Sequence, residues 1–181
     1  MSEPARSQRF AEIALPHLDA AYNLARWLVR SDCDAEDIVQ EAYLRAFKAF
    51  DGFRGANGRP WLLAIVRNAS YDWLRQRRAD DVTISYDEEL HDGHISAEAG
   101  SANEAMVNPE TALARADDRR LVNAALARLP AAFREVVVLR DIEDLSYRDI
   151  AAIASIPIGT VMSRLARGRK LMLAYLEQAE A

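Results

Sequence analysis

The chain has 181 residues, 50% hydrophobic and 28% charged, and its 23 basic and 28 acidic side chains leave a formal charge of -5. That length suits one ordinary domain or two small ones, and the composition excludes the low-apolar regime in which chains stay unfolded. A single cysteine, Cys33, excludes an intrachain disulfide, and no stretch reaches the roughly 20 apolar residues of a bilayer-spanning helix, so a cytoplasmic protein without direct membrane insertion is expected.

Phe10, Ile13, Ala14, Leu18, Ala21, Tyr22, Ala25 and Leu28 follow helical spacing, with Pro16 marking a kink or a junction between two helices. A second helical pattern is expected after Asp34, where Asp37 stands in for the glutamate of a capping box. Its apolar stripe holds Ile38, Ala42, Phe47 and Phe50, widened by Val39, Tyr43 and Ala46. Gly52, Gly55 and Gly58 punctuate a loop, and a third helix runs from about Pro60 to Arg78.

Residues 79–109 carry no sustained period and are too long for a routine loop, so they read as a linker between domains. Helical spacing returns from about Glu110 to Leu129, then from Ala131 to Arg140 beyond Pro130. Ser146 followed by Asp149 predicts the cap of a short helix through Ala154, and a last helix begins at Pro157 and runs to about Gln178. The expected fold is all-α, with two small helical domains, 5–78 and 110–178, joined by an acidic flexible linker over 79–109.

Charge follows the same division. Residues 54–78 hold six arginines against Asp72, residues 146–170 hold five basic side chains against Asp149, and residues 79–118 hold eleven acids against Arg115. An acidic average therefore conceals two basic segments, and nucleic-acid footprints are local.

The segment 145–165 has the layout of a helix-turn-helix. Ile150, Ala151 and Ala154 can pack on Ile158, Val161 and Leu165, leaving Thr160, Ser163, Arg164 and Arg167 on a face that fits a major groove. The planar fork of Arg167 suits two guanine acceptors, whereas Thr160 and Arg164 suit phosphates and Ser163 suits either. Free amides of the helix's first turn would add to that anchoring. An amphipathic helix pair with a solvated arginine face is the competing reading.

In the first basic segment Trp61, Tyr71 and Trp73 lie among arginines, a mixture suited to unstacked bases. Asn68 offers an amide that can pair with a base edge. Trp61 and Trp73 read rather as core residues holding the third helix on the second, Phe53 as partly buried beneath the glycine-rich loop, and Asn68 alternatively as satisfying a local backbone group. Asp32, Asp34, Glu36, Asp37 and Glu41 form an acidic patch fit for a basic partner surface or simply a solvated helix start.

Several segments together resemble the extracytoplasmic-function sigma family. They run from Asp34-Ala-Glu-Asp-Ile-Val-Gln-Glu to Gly55, from Pro60-Trp-Leu-Leu-Ala-Ile-Val-Arg-Asn to Arg75, and through Asn108-Pro-Glu, Leu129-Pro, 134–140 and 145–169. The resemblance implies region 2 in the first domain, which grips the polymerase and melts the -10 element, and region 4 in the second, which reads the -35 element. It implies polymerase contacts at Asp37, Gln40, Glu41 and Arg45. It places a flipped -10 base near Asn68, the base-specificity loop at Phe53 to Arg59, and -35 recognition on Ser163, Arg164 and Arg167. Joined with the residues read from pattern, the expected -10 recognition and melting site is Phe53, Arg54, Asn57, Arg59, Trp61, Arg67, Asn68 and Tyr71, and the expected -35 site is Thr160, Ser163, Arg164 and Arg167. Core RNA polymerase, promoter DNA and an anti-sigma protein are the implied partners. Met162 stands where the family commonly has Lys or Arg, and Gly168 where Ala is common, which would loosen an exposed helix by roughly 0.5–1 kcal/mol.

No covalent chemistry, cofactor or metal is expected. His91 and His94 are neighbours in sequence, but Cys33 is remote and no closed ligand set accompanies them. The rival function is a one-component helix-turn-helix regulator, which would bind symmetric half-sites as a dimer without polymerase.

Overall fold

The protein is described here by a computed structural model covering residues 3–55, 57–83 and 109–180. All its regular elements are helical, in agreement with the all-α expectation. The first helix, α1 (Glu3–Ala14), stops where Pro16 removes an amide donor. A single 3-10 turn, Leu15–His17, then leads into α2 (Leu18–Val29), so the proline marks a junction between helices. Leu18, expected on the buried stripe, opens α2 at that junction and is exposed.

Arg30 closes α2 in the left-handed region, with φ at 60° and its amide donating to the Arg26 carbonyl at 2.8 Å. Ser31 then caps α3 (Asp32–Ala49), its Oγ accepting from the Asp34 amide at 3.4 Å. The cap is thus three residues earlier than expected from Asp34. Extended backbone at Ser31 lets its hydroxyl reach an otherwise unpaired amide.

Small side chains set the spacing of the N-terminal bundle. Ala20, Ala21 and Ala25 on α2, with Ala35, Ala42 and Ala46 on α3, are buried where these helices pack on one another and on α4 (Gly58–Thr83). Gly58 permits another close approach: a Cβ there would lie 2.3 Å from Ile13 Cγ2 and 3.2 Å from the Ile13 carbonyl oxygen. The start of α4 is therefore fastened to the end of α1.

An aromatic knot completes this bundle. The Phe10 ring meets Tyr43, Phe47 and Phe50 edge-on, at centroid distances of 6.3, 5.2 and 5.3 Å. Tyr43 donates its hydroxyl to the Ala14 carbonyl at 2.9 Å, and burial pushes its phenol up to about 12. The raised value favours the neutral phenol in the fold. Its contribution is complete below the ordinary value of 10 and is lost as pH rises toward 12. Tyr43→Phe is expected to cost about 1 kcal/mol at neutral pH through the lost hydrogen bond. It should also flatten the decline of stability across that alkaline window, as urea unfolding at successive pH values will measure.

The C-terminal bundle contains α5 (Pro109–Arg128), α6 (Ala131–Val137), α7 (Tyr147–Ala154) and α8 (Ile158–Glu180). Arg134, only 5% exposed, donates Nη1 to the carbonyls of Ala127 and Leu129 at the end of α5, while its Nε has no partner among the described residues. Burial, with Arg30 nearby, lowers its guanidinium to about 10. The helix expected through Arg140 instead widens into a π turn, Val138–Ile142, in which the Glu143 amide donates five residues back to Val138.

Ser146 caps α7 as expected, accepting from the Asp149 amide at 3.1 Å and donating to its carboxylate at 2.7 Å. Ser155, with φ at 54°, makes the turn into α8. Ile150, Ala154, Val161 and Leu165 are buried between the two helices; Ile158 departs from the expectation and remains 46% exposed.

Gly168 is buried rather than exposed, and a Cβ there would lie 2.9 Å from Val137 Cγ2 and 3.4 Å from Phe133 Cβ. It is a contact point between α8 and α6, which reverses its expected effect. Gly168→Ala should lower stability by about 1 kcal/mol through overpacking, despite the helix preference of alanine. A lowered urea midpoint would measure this.

The bundles pack together through α4 on α7 and α2 on α6, and one cluster of buried apolar residues includes Leu24, Leu62 and Val66 with Leu139, Ile150 and Leu165. The expected linker lies mainly outside the described residues, although α4 continues to Thr83. No single helix among the described residues is long and apolar enough to cross a membrane.

Candidate nucleic-acid interface

The second helix of the helix-turn-helix carries the first candidate surface. Ser163 and Arg167 are exposed on α8, while Thr160 and Arg164 are half-buried. Arg167 has no hydrogen bond or ion pair with the described residues, whereas neighbouring Arg169 is bound to Asp141. Donating to that carboxylate raises the Arg169 guanidinium above its ordinary value. Ser163 donates its hydroxyl to the Thr160 carbonyl at 3.1 Å.

The Thr160 and Val161 amides donate to the Pro157 carbonyl at 2.9 and 3.1 Å; the Val161 bond is the first regular turn of the helix, and the Thr160 bond removes one of the expected first-turn anchors. Beside this polar face, Ile158 and Met162 are 46% and 54% exposed one turn apart.

The second surface lies on α4 and the loop before it. Phe53 and Trp61 are half-buried, with ring centroids 4.7 Å apart, and both rings adjoin Phe50. Trp73 is also partly buried and carries the Arg77 guanidinium over its ring at 4.9 Å. Arg54 and Asn57 are exposed, and Asn57 Oδ1 accepts from the Arg59 amide at 3.1 Å. Asn68 is exposed in a cleft of about 400 Å³ shared with Arg67, Tyr71, Asp72 and Arg75.

Sequence periodicity did not reveal what covers part of that surface. Glu135, 1% exposed on α6, accepts from Arg67 and from the Tyr71 hydroxyl, the latter at 3.3 Å. Glu143, 7% exposed, accepts from Arg59 at 2.7 Å and Asn23 at 3.2 Å. Arg67 also lies over the Tyr71 ring at 4.5 Å, and burial followed by the Glu135 charge raises the Tyr71 phenol above its ordinary value. Three candidate residues of the N-terminal domain thus meet two carboxylates of the C-terminal domain. A lone acid within the apolar run Ala131-Ala-Phe-Arg-Glu-Val-Val-Val-Leu139 was the available signal for Glu135.

A third surface occupies α3. Asp37, Gln40, Glu41 and Arg45 are exposed along it, with Arg45 bound to Glu41 at 2.6 Å and to Asp72 of α4 at 2.8 Å. Donating to Asp72 and then to Glu41 raises the Arg45 guanidinium above its ordinary value, and accepting from Arg45 holds the Asp72 carboxyl below its ordinary range. Leu44, 63% exposed among these charges, adds an apolar side chain that the charge pattern of the sequence does not single out. A mixed surface with an apolar centre is suited to a protein partner. Among the described residues no group of three potential metal ligands occurs, while His91 and His94 lie outside them.

The family model for Sigma-70 region 2 matches residues 13–79, and that for Sigma-70, region 4 matches residues 119–172. The chain is similar to the ECF RNA polymerase sigma factor SigE of Mycolicibacterium smegmatis, with 36% identity over 171 residues, covering 91% of this chain and 60% of that protein. It is also similar to the ECF RNA polymerase sigma-E factor of Escherichia coli, with 34% identity over 142 residues, covering 76% and 71% of the respective chains.

Two solved structures are similar throughout. The sigma factor RpoE, in complex with the anti-sigma factor NepR from Bartonella quintana, has a TM-score of 0.68 and 29% identity, covering 94% of this chain and 98% of that one. CnrH, in complex with the cytosolic domain of CnrY, has a TM-score of 0.63 and 25% identity, covering 95% and 90%.

Proposed function

Because the chain belongs to the extracytoplasmic-function sigma factors of the sigma-70 family, we propose that it binds core RNA polymerase, directs promoter-specific initiation and is controlled by an anti-sigma protein. The observation carrying this reading is the pairing, in family order, of region 2 with a region 4 whose helix-turn-helix exposes Ser163 and Arg167. Likeness to RpoE bound by NepR supports the regulatory partner. The proposed setting is the cytoplasm, where bacterial polymerase acts, and the protein contributes binding energy rather than catalysis.

In this mechanism, α3 engages polymerase through Asp37, Gln40, Glu41 and Arg45, with Leu44 supplying apolar area. The α8 face positions the duplex at -35: Arg167 reads a base edge, Thr160 and Arg164 take phosphates, and Ser163 takes either. At -10, Asn68 pairs with an extruded base beside the rings of Phe53, Trp61 and Tyr71. Arg54, Asn57, Arg59 and Arg67 hold the loop and strand backbone. Extrusion costs a few kcal/mol, offset by pocket contacts and backbone electrostatics.

Reconstituted transcription tests the assignment. Adding the protein to sigma-free bacterial core polymerase with a matched genomic library should produce a defined set of start sites. Absence of both core binding and promoter-dependent starts at several salt concentrations would overturn it. A symmetric dimer binding DNA without polymerase would instead establish the one-component regulator.

A further inference from the structure

Glu135 and Glu143 occupy an unusual electrostatic position. Each is more than nine-tenths buried, and the partners named above that satisfy it come from the N-terminal bundle. Buried carboxylates are costly without such partners, so separating the bundles would leave both groups needing water and would release Arg59, Arg67 and Tyr71 together. Those are the side chains assigned above to the -10 strand.

A carboxylate and a phosphate oxygen make the same demands on a guanidinium, and one fork cannot serve both in full. We propose that Glu135 and Glu143 are internal substitutes for nucleic-acid phosphate, so that closure of the two bundles and capture of single-stranded DNA compete for one surface. This rests on the reading of α4 as the strand-binding helix. The competition is reciprocal: closure weakens strand binding, and strand binding weakens closure by the same factor. Asn68, exposed outside the clasp, remains available for first contact while the arginines are held.

The test uses the full chain and a fluorescein-labelled, single-stranded deoxyoligonucleotide followed by anisotropy. Glu135→Gln with Glu143→Gln should tighten binding about tenfold, corresponding to about 1.4 kcal/mol of removed competition. The control Glu36→Gln with Glu177→Gln removes the same formal charge from exposed sites and should change binding less than about twofold. Asn23→Ala, which leaves every charge and every strand-facing residue in place, should tighten binding about threefold. It provides a test even where the double variant fails to fold.

Small-angle scattering should show the wild type expanding when the oligonucleotide binds. An Asn23→Ala affinity equal to wild type, or a wild type that stays compact when saturated with the strand, would overturn the proposal. Core-polymerase binding measured in parallel separates the two assignments: its loss with the competition intact defeats the sigma reading alone, and its retention without competition defeats the clasp alone.

Discussion

Arg167→Ala is expected to reduce promoter-specific initiation by roughly tenfold or more, the effect of losing one bidentate base contact of about 1–3 kcal/mol. Arg167 is exposed and makes no ion pair or hydrogen bond with the described residues, so its removal opens no cavity and orphans no acceptor among them. The loss should fall on duplex binding and should relax preference at one base position of the upstream element. Arg169→Ala provides the comparison. That side chain is bound to Asp141, so its truncation should affect promoter selection much less. Competition binding of the reconstituted holoenzyme to duplexes varied at each upstream position will measure both. Unchanged preference in Arg167→Ala would remove this residue from base reading.

Asn68→Ala should instead leave closed-complex formation intact and lower open-complex yield by about tenfold. Its exposed amide supplies donor and acceptor beside Tyr71, in a cleft flanked by the cationic groups of Arg67 and Arg75. Alanine would retain the helix while deleting the edge recognition that helps offset base extrusion. A template with a pre-opened -10 region should rescue much of the defect because that cost has already been met. Permanganate footprinting on paired and pre-opened templates distinguishes the outcomes; equal deficits on both would assign Asn68 to strand retention rather than opening.

Much of the architecture was legible because helices declare themselves locally. The Pro16 junction, the Ser146 cap and the turn before α8 each depend on neighbouring residues whose geometry is set within one or two turns. Other features needed the third dimension. Gly168 looks dispensable along α8 and is buried only because α6 crosses there. Ser31 caps α3 ahead of a run of acids that also suits a helix start, so composition alone could not choose between them. The Arg59–Glu143 and Arg67–Glu135 pairs join residues far apart in sequence, and no periodicity relates them. Counting positive charge along 54–78 correctly located a basic helix, but it could not show that two of its arginines are already neutralised across the seam.

The π turn at Val138–Ile142 sets the rotational phase of the chain as far as Glu143, where helix gives way to the non-helical residues that lead to the Ser146 cap. One helical residue corresponds to about 100° of rotation and 1.5 Å of rise. Shortening this turn by one residue would therefore swing the Glu143 carboxylate away from Arg59 and Asn23. The bearing of Arg167 is set separately, by the seat of Gly168 on α6, so a single deletion in the wide backbone ring would unfasten the seam while the recognition helix kept its address on the double helix.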